Sequence, residues 1–239
     1  MKSKVVQFDY TRNVPMCAKI GGVQLWENGP YWAECNIGAT KPEEPGYYFW
    51  WGETVGYKPE GGTIETIDED LNCKCDVTWV SVKDGTILEF DEVNHPTYHK
   101  SNSQLQDAGY IDSTGNLAAA HDAAAACCGD GWRMPTAADF GMLKEMCKLS
   151  WTTCNGVKGY LVTGKGAYAS KSIFLPAAGC AYDSCLFFLG SVGAYWSSTP
   201  DSDDYDYALH LYLCSDDFEL GYGRRVDGKS VRPVRGCAK

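Results

Sequence analysis

LAAAHDAAAACCG, at residues 117–129, is the stretch that decides the fold expected of this chain. Alanine, the best helix former, fills most of it, and Gly129 stands where helices commonly end on a glycine. The pattern predicts a helix near residues 115–128, in the middle of the sequence.

A second helix is predicted directly downstream, from PTAADFGMLKEMC at residues 135–147. Thr136 can cap its first turn, and Asp139, three residues later, can reach back to complete a capping box. The next apolar residues recur at helical spacing and mark a buried face: Phe140, Leu143 and Cys147. We expect this helix near residues 137–149.

Short strands are predicted on both sides of the two helices. Residues 20–55 alternate aromatic runs with Gly, Pro and Asn, and β-like runs such as 160–163 and 173–175 recur towards the end of the chain. Strands, two helices and then many short strands indicate an α+β fold.

One domain is expected to span residues 1–239, because this length suits a single large domain or a domain with an insertion. Residues 56–100 are more polar and acidic than their surroundings. They contain one β-like run at 77–82 and a turn at 84–85, which predicts an inserted hairpin or another excursion of the chain.

The bulk composition argues against several classes of protein. Apolar residues make up 44% of the chain, and no apolar run approaches the roughly 18 residues that span a bilayer. The net charge of −10 argues against nucleic acid or an anionic membrane as a partner, because both would repel the chain. Residues 1–10 hold no uninterrupted apolar core, so no secretion signal is expected there.

Neither a metal site nor a cofactor is predicted from the cysteines and histidines. Among the 12 cysteines, Cys127 and Cys128 are adjacent, Cys73 and Cys75 are one residue apart, and none shows the two-residue gap of common zinc knuckles. Most are interpreted as small buried hydrophobes or incidental surface thiols. The four histidines show no metal or triad grouping: His95, His99, His121 and His210.

Seven short motifs follow one another in the order of a known family. They are WAECNIGA at 32–39, WGET at 51–54, GWRMPT at 131–136, WTTCNGVKGY at 151–160, SIFLPAAG at 172–179, YWSST at 195–199 and SVRPVR at 230–235. The sequence resembles the FISUMP-type C-type-lectin-like domains of gut Bacteroidales and their phages. The resemblance covers roughly residues 20–236, with 56–100 poorly matched.

The resemblance implies a fold, a function and a place of action. The fold would be C-type-lectin-like, of the subtype related to formylglycine-generating enzymes, with two helices and short antiparallel strands. Many members are variable proteins of diversity-generating retroelements, which rewrite a 3′ gene segment by mutating template adenines, largely at AAC or AAT codons. Here the rewritten segment would be residues 180–228. Display in a virion, on a phage tail, or on a bacterial cell surface is expected.

Composition provides a check that is independent of the motifs. Randomising the first two bases of an AAC or AAT codon never gives Lys, Gln, Glu, Met or Trp. Residues 172–228 contain no Lys, Gln or Met, and no Asn, the residue of the unmutated template, whereas an even spread would place about eight of these there. Trp196 and Glu219 would have to be fixed positions; Trp196 belongs to the YWSST motif, and Glu219 stays unexplained.

A ligand-contacting surface is therefore assigned to residues 180–228, which are rich in Tyr, Phe, Asp and Ser. The residues expected to contact the ligand are Tyr182, Asp183, Ser184, Cys185, Phe187, Phe188, Val192, Ala194, Asp201, Asp203, Asp204, Tyr205, Asp206, His210, Tyr212, Cys214, Asp216, Asp217, Phe218, Tyr222, Arg224 and Asp227. They should form one exposed face. Along residues 209–214, the three leucines are expected to face the core and the intervening side chains the solvent. The scaffold residues Trp132, Trp196 and Val231 should be buried.

Two local alternatives stay open in this segment. Residues 201–206 could bind calcium, but Tyr205 and Asp206 stand where an EF-hand-like loop wants an oxygen ligand and a glycine, so a solvated acidic loop is favoured. Phe187 and Phe188 could equally be core on periodicity alone, and only the family resemblance favours the surface.

The predicted function is ligand or receptor binding without enzymatic activity. One rival is an oxidase of formylglycine-generating type, which would bind copper through a cysteine pair, but Cys180, Cys185 and Cys214 fall at positions where a mutable codon would not preserve a catalytic residue. The other rival is a structural surface module without a specific ligand. Residues 180–228 carry eight Asp and one Glu against two Arg, so the expected partner is a protein or glycoconjugate surface with a basic patch.

Overall fold

The computed structural model describes residues 21–61, 77–89 and 91–236. Strands hold 38% of the described residues and helices only 12%. The predicted α+β, C-type-lectin-like class with two helices is therefore wrong. The described residues are nearly all-β, in several sheets, with three short α-helices. The β-runs that the sequence places around the helices therefore dominate the fold.

Sixteen strands and three α-helices follow one another along the described residues. They are β1 (Gly22–Gln24), β2 (Tyr31–Ala33), β3 (Tyr48–Trp50), β4 (Tyr57–Glu60), β5 (Thr78–Ser81), α1 (Asn102–Asp107), α2 (Ala123–Cys128), β6 (Trp132–Arg133), α3 (Ala137–Met146), β7 (Lys148–Cys154), β8 (Val157–Thr163), β9 (Ser172–Pro176), β10 (Cys180–Tyr182), β11 (Cys185–Phe187), β12 (Gly193–Pro200), β13 (Tyr207–Leu213), β14 (Phe218–Arg224), β15 (Gly228–Ser230) and β16 (Val234–Arg235). A 3-10 turn at Gly166–Tyr168 separates β8 from β9.

Three sheets organise the described residues. The largest has the strand order β14-β13-β12-β15-β3-β4-β5, and the β10–β11 hairpin joins it through β15. Neighbours in it are antiparallel except β12 and β15, which run parallel. A second sheet has the order β1-β2-β16-β6, and β7, β8 and β9 form a three-stranded meander.

The alanine-rich stretch is helical over a shorter span than predicted. Asp122 caps α2 and also accepts two hydrogen bonds from the backbone N–H of Met134, at 3.0 and 2.8 Å. Upstream, the N–H of Leu117 donates to the carbonyl of Ser198 at 2.9 Å. Tertiary hydrogen bonds thus hold residues 117–121 outside the helix, despite their high alanine content.

Helix α3 begins where its capping box predicts. The Thr136 hydroxyl accepts the N–H of Asp139 at 3.1 Å, and the Asp139 carboxylate accepts the N–H of Thr136 at 2.8 Å. The helix ends at Met146 rather than near 149. Helix α1 was not predicted, although Ser101 and Gln104 form the same kind of box at its start.

The core lies on both sides of the large sheet. One cluster joins α3, through Phe140 and Leu143, to Leu211 and Leu213 of β13. A second cluster surrounds Trp196. The three scaffold residues predicted to be buried are buried: Trp132, Trp196 and Val231.

The described part of the 56–100 segment extends the large sheet at one edge. β4 pairs with β3 and with β5, and β5 carries Trp79. That residues 56–100 are an insertion stays a prediction. The Trp79 ring packs edge-on against Tyr48 and Trp50, with centroids 5.2 and 6.0 Å apart. Residues 62–76 of this segment lie outside the described residues.

Arg232 ties the end of the described chain to its beginning. The guanidinium is fully buried and donates to the Asn36 side-chain oxygen at 2.8 Å and to the carbonyls of Ala33, Glu34 and Phe174. Four acceptors share its planar array of donors, which explains why this motif carries arginine. β16 then pairs with both β2 and β6.

The cysteines differ in their chemical state. Cys128 is disulfide-bonded. Free thiols are found at Cys35, Cys147, Cys154, Cys180, Cys185 and Cys214. Cys73, Cys75 and the N-terminal residues considered for a secretion signal lie outside the described residues. Over the ranges that the structure describes, no helix has the length and apolar character needed to cross a bilayer.

Candidate ligand-binding surface

The turn of the β10–β11 hairpin is held by its backbone. Trp79 donates its indole N–H to the carbonyl of Asp183 at 2.8 Å, and Val77 donates its backbone N–H to that of Ser184 at 2.7 Å. Asp183 has a left-handed φ of 52°, a conformation that aspartate adopts more readily than most residues. Because the anchoring bonds use main-chain oxygens, both turn side chains remain exposed.

The acidic loop between β12 and β13 is folded around Asp201. This residue is buried, and its Oδ1 accepts the N–H groups of Asp203 at 2.8 Å and Asp204 at 3.3 Å. Asn102, at the start of α1, donates its side-chain amide to the Asp201 carbonyl at 2.6 Å. Asp201 therefore organises the loop, while Asp203 and Asp204 face solvent.

Asp206 and Arg225 hold the C-terminal part of the same loop through hydrogen bonds and packing. The Asp206 carboxylate accepts the backbone N–H of His99 at 2.9 Å, and its second oxygen lies 2.7 Å from His99 Nδ1. Arg225 is buried, donates to the carbonyl of Tyr207 at 3.0 Å, and lies 4.7 Å from the centroid of the Trp51 ring. Burial lowers the pKa of Arg225 to about 10, so the guanidinium is still charged at neutral pH.

Several predicted contact residues converge beside this loop. A cavity of about 290 Å³ is lined by Asp201, Asp203, Asp204, Tyr207 and Tyr222. Arg224 lies opposite Tyr207 in the β13–β14 register, and its guanidinium is 5.5 Å from the centroid of the Tyr182 ring. We call the following set the Tyr–Asp surface: Tyr182, Asp203, Asp204, Tyr205, Tyr207, Tyr222 and Arg224.

Three of the four tyrosines of the Tyr–Asp surface are unusually exposed for aromatic residues, and Tyr207 is half-buried. The exposed fractions are 37% for Tyr182, 50% for Tyr205 and 68% for Tyr222. A tyrosine offers a large apolar area and a hydroxyl with few rotatable bonds, so it is ordered in a complex at low entropic cost. The surface therefore has the chemistry of a binding site.

A second group of predicted contact residues lies at the other end of β13. In the turn after this strand, the N–H of Cys214 donates to the carbonyl of Asp217 at 2.9 Å, and Asp216 and Asp217 are exposed. Tyr212 is half-buried and lies opposite Glu219. The seven residues of β13 separate this turn from the acidic loop by about 20 Å. The predicted residues therefore divide between two ends of the strand.

Four predicted contact residues are buried: Ala194, Asp201, His210 and Phe218. The expected solvent-facing orientation of His210 is wrong. β13 is flanked by β12 and β14, and both of its faces are covered, so alternation does not separate core from solvent there. The His210 ring packs edge-on against Trp196 at 5.9 Å, and burial, followed by the charge of Lys229, lowers its pKa well below the ordinary value.

The other predicted residues are half-buried. They are Cys185, Phe187, Phe188, Val192, Asp206, Tyr212, Cys214, Arg224 and Asp227. The rings of Phe187 and Phe188 are tilted against each other with centroids 6.0 Å apart. Phe188 has a left-handed φ of 58°, which is strained for a bulky residue.

The charge at this side of the molecule is negative and largely uncompensated. Six exposed carboxylates have no ion-pair partner among the described residues: Asp183, Asp203, Asp204, Asp216, Asp217 and Glu219. The neighbouring cations are engaged within the protein, since Arg224 pairs with Glu92 and Lys229 lies 3.0 Å from Asp227. A cationic partner would therefore meet an attractive field.

Three cysteines of the 180–228 segment were weighed as copper ligands of an oxidase. In the β10–β11 register, Cys180 lies opposite Phe187 and Cys185 opposite Tyr182, so the two thiols are not cross-strand neighbours. Burial raises the pKa of Cys180, which disfavours the thiolate. Among the described residues, no three His, Cys, Asp or Glu side chains are placed to hold a metal ion together.

The sequence prediction missed residues that complete the site. Tyr207 lines the cavity but is not among the predicted contact residues, although it continues the Asp and Tyr alternation of residues 204–207. Glu92, His99 and Trp79 come from the segment interpreted as an insertion. No local pattern marks them, because their role depends on tertiary contacts with residues more than 100 positions away.

Comparison with known proteins gives no assignment. No protein-family model, curated protein or solved structure matches this chain. A function for the chain can therefore be argued only from its residues and their geometry.

Proposed function

We propose that this chain is a ligand-binding protein without enzymatic activity, whose segment 180–228 is diversified by a retroelement and whose Tyr–Asp surface contacts the ligand. The observation that carries the proposal is the composition of residues 172–228, which contain no Lys, Gln, Met or Asn. Apart from Trp196 and Glu219, this is the composition expected when template AAC and AAT codons are rewritten. Every residue type in the Tyr–Asp surface is among those that such rewriting can produce.

The way in which the loops are anchored supports the proposal. Trp79, Val77 and Asn102 lie outside the segment, and each bonds a main-chain carbonyl within it, at Asp183, Ser184 and Asp201 respectively. A carbonyl is present whatever the side chain. Such bonds preserve the loop conformation while the exposed side chains change, which is what a diversified binding surface requires.

The chemistry of the surface favours a macromolecular ligand with a basic patch. Exposed carboxylates steer a cationic partner towards the surface, and tyrosine rings supply apolar area once the partner has arrived. A protein or glycoconjugate surface fits these properties. Display on a phage tail or on a bacterial cell surface is the corresponding biological setting.

The DNA around the gene provides the most direct test. We expect a nearby repeat that is almost identical to the codons for residues 180–228 and differs only at adenines, next to a reverse-transcriptase gene. Differences spread over all four bases, or a locus without such a repeat, would contradict the diversification part of the proposal.

A pair of libraries tests the binding surface itself. The first randomises Tyr182, Asp203, Tyr205 and Tyr222 with the codons that AAC rewriting allows. The second applies the same codons to the four buried predicted residues of the segment: Ala194, Asp201, His210 and Phe218. We expect most members of the first library, and few of the second, to unfold cooperatively near the wild-type temperature. Equal losses in both would show that the exposed positions are not tolerant, and the proposal would fail.

A further inference from the structure

The cavity of the Tyr–Asp surface combines three carboxylates with two aromatic rings. Asp201, Asp203 and Asp204 line it from the acidic loop, and Tyr207 and Tyr222 line it from β13 and β14. Its volume is about 290 Å³, just below the roughly 300–1,000 Å³ that usually holds a drug-sized ligand. A cavity of this size suits one side chain of a larger partner.

Asp201 lines this cavity and keeps one carboxylate oxygen without a partner. The residue is only 6% exposed, and its Oδ1 accepts the two backbone N–H groups that fold the loop. Its Oδ2 has no hydrogen bond or ion pair with any residue that the structure describes, yet it is not sealed from solvent. A charged oxygen in so buried a residue is costly unless a donor reaches it. The free oxygen therefore marks the point where a donor of the ligand would bind.

The two neighbouring arginines of the protein do not bind this oxygen. Arg225 is close enough to Asp201 to interact with its charge, but its hydrogen bonds go to two main-chain carbonyls and to the side chain of Asn102. Arg224 pairs with Glu92 instead. The three carboxylates of the cavity carry more negative charge than Arg225 alone offsets, so the cavity attracts a cation.

Three classes of ligand group fit this cavity poorly. Its three carboxylates repel an anion, and an uncharged group leaves their charge uncompensated. A metal ion finds no cage here, since no three His, Cys, Asp or Glu side chains in the described part of the chain are placed to hold one. The class that remains is an organic cation.

A guanidinium fits the cavity better than an ammonium does. An ammonium is a compact, strongly hydrated charge, whereas a guanidinium is more weakly hydrated and presents five N–H donors in one plane. It can therefore bond Asp201 Oδ2 and a neighbouring carboxylate while its flat face lies on a tyrosine ring. The molecule uses the same contact nearby, where Arg225 lies 4.7 Å from the centroid of the Trp51 ring and Arg224 lies 5.5 Å from that of the Tyr182 ring.

We propose that this cavity takes the guanidinium of an arginine side chain on a protein ligand. The group is bonded to Asp201 Oδ2 and to Asp203 or Asp204, and its face lies against the ring of Tyr222, which is 68% exposed. The inference rests on the proposed function, because it names the partner group that the Tyr–Asp surface recognises. It also selects a protein over a glycoconjugate, since arginine supplies a guanidinium and common sugars do not.

Titration of the isotope-labelled full chain with three short peptides tests the proposal. Each probe is a tripeptide with blocked ends and glycine on both sides of a central residue, which is arginine, lysine or citrulline. Citrulline has nearly the shape of arginine but no charge. The backbone amide resonances of residues 201–207 report binding at constant ionic strength. We expect the arginine peptide to saturate with a Kd of about 1–10 mM, the lysine peptide to bind more weakly, and the citrulline peptide to bind at least about tenfold more weakly, because it lacks the charge-assisted hydrogen bonds.

Two variants and a matched control locate the binding. Asp201→Asn keeps an oxygen that can accept the loop N–H groups and replaces only the free carboxylate oxygen, so the arginine peptide should bind about tenfold more weakly while the loop stays folded. Tyr222→Ala, at an exposed position, should weaken the arginine peptide about two- to fivefold. Asp216→Asn is the matched control, because it removes the same charge from an exposed residue at the other end of β13, and it should change the affinity less than about twofold.

Three results would overturn the inference. The first is that the resonances of residues 201–207 in the wild-type chain do not approach saturation at about 50 mM arginine peptide, a readout that does not depend on how the variants fold. The second is that the lysine or citrulline peptide binds as tightly as the arginine peptide. The third is that Asp216→Asn weakens binding as much as Asp201→Asn, which would assign the effect to net charge alone. Each of these can occur while the retroelement repeat is found and the exposed positions tolerate randomisation, so failure of the inference is distinguishable from failure of the proposed function.

Discussion

Replacing Phe188 by alanine and by glycine separates backbone strain from side-chain contact directly after the β10–β11 hairpin. Phe188 has a φ of 58°, and a non-glycine residue in this left-handed conformation costs about 1–2 kcal/mol. Phe188→Ala keeps that cost and removes the ring that packs against Phe187, whereas Phe188→Gly removes both. We therefore expect Phe188→Gly to be more stable than Phe188→Ala by about 1 kcal/mol. At an ordinary position the order is reversed, because glycine loses about 0.4–1 kcal/mol more chain entropy than alanine.

Urea unfolding followed by tryptophan fluorescence measures this difference, which corresponds to about 2–4 °C in Tm for a chain of this size. Ser191 is the matched control, since it lies in the same connection and has no positive φ. There, Ser191→Ala should be more stable than Ser191→Gly. If Phe188→Gly is no more stable than Phe188→Ala, the left-handed backbone at this position carries no strain and the argument is refuted.

Three further outcomes are expected. Arg232→Ala should lower the free energy of unfolding by about 3–5 kcal/mol, because it leaves buried acceptors without a donor; a denaturant midpoint near that of the wild type would contradict this. Stability should fall between pH 7 and pH 4, because the native state keeps both His95, with a pKa of about 4, and His210 neutral while the unfolded chain protonates them near 6.5. His95 contributes up to about 3 kcal/mol of this fall, so His95→Gln should reduce the fall measured by urea titration without abolishing it, and an unchanged profile would contradict the argument. Once a ligand is identified, its association rate with the protein should fall as the salt concentration rises. The double variant Asp203→Asn, Asp204→Asn should show a weaker dependence of this rate on salt, and a salt-independent rate in the wild type would refute the electrostatic argument.

Sequence patterns within a few residues predicted the boundary of an element correctly where hydrogen bonds within the same few residues set that boundary. The capping box of Thr136 and Asp139 gave the start of α3 correctly. Alanine content alone placed the other helix too far upstream, since it could not reveal that Leu117 bonds the carbonyl of Ser198. The predicted class was wrong for the same reason, because the pairing of many short strands into large sheets depends on contacts far apart in sequence.

The candidate site was predictable in composition but not in geometry. Residues 180–228 indicated an exposed surface rich in tyrosine and aspartate, and Tyr182, Tyr205 and Tyr222 are exposed. Strand alternation misplaced His210, because a central strand in a covered sheet has no solvent side. The burial of Asp201 follows from the hydrogen bonds that it makes to its own loop, which no periodicity reports.

The bond network of Arg232 also sets the order in which the molecule can be completed. Arg232 and Asn36 are separated by 196 positions, and β16 must insert between β2 and β6. A chain leaving the ribosome therefore exposes β2 and β6 long before β16 can pair with them and close the second sheet. Closing so long a loop is slow, because its entropic cost is compensated only by contacts that form when the strand pairs. If residues 180–228 are rewritten as proposed, each new version would also be tested at this step, since a version that fails to fold leaves β16 unpaired and the chain open to degradation.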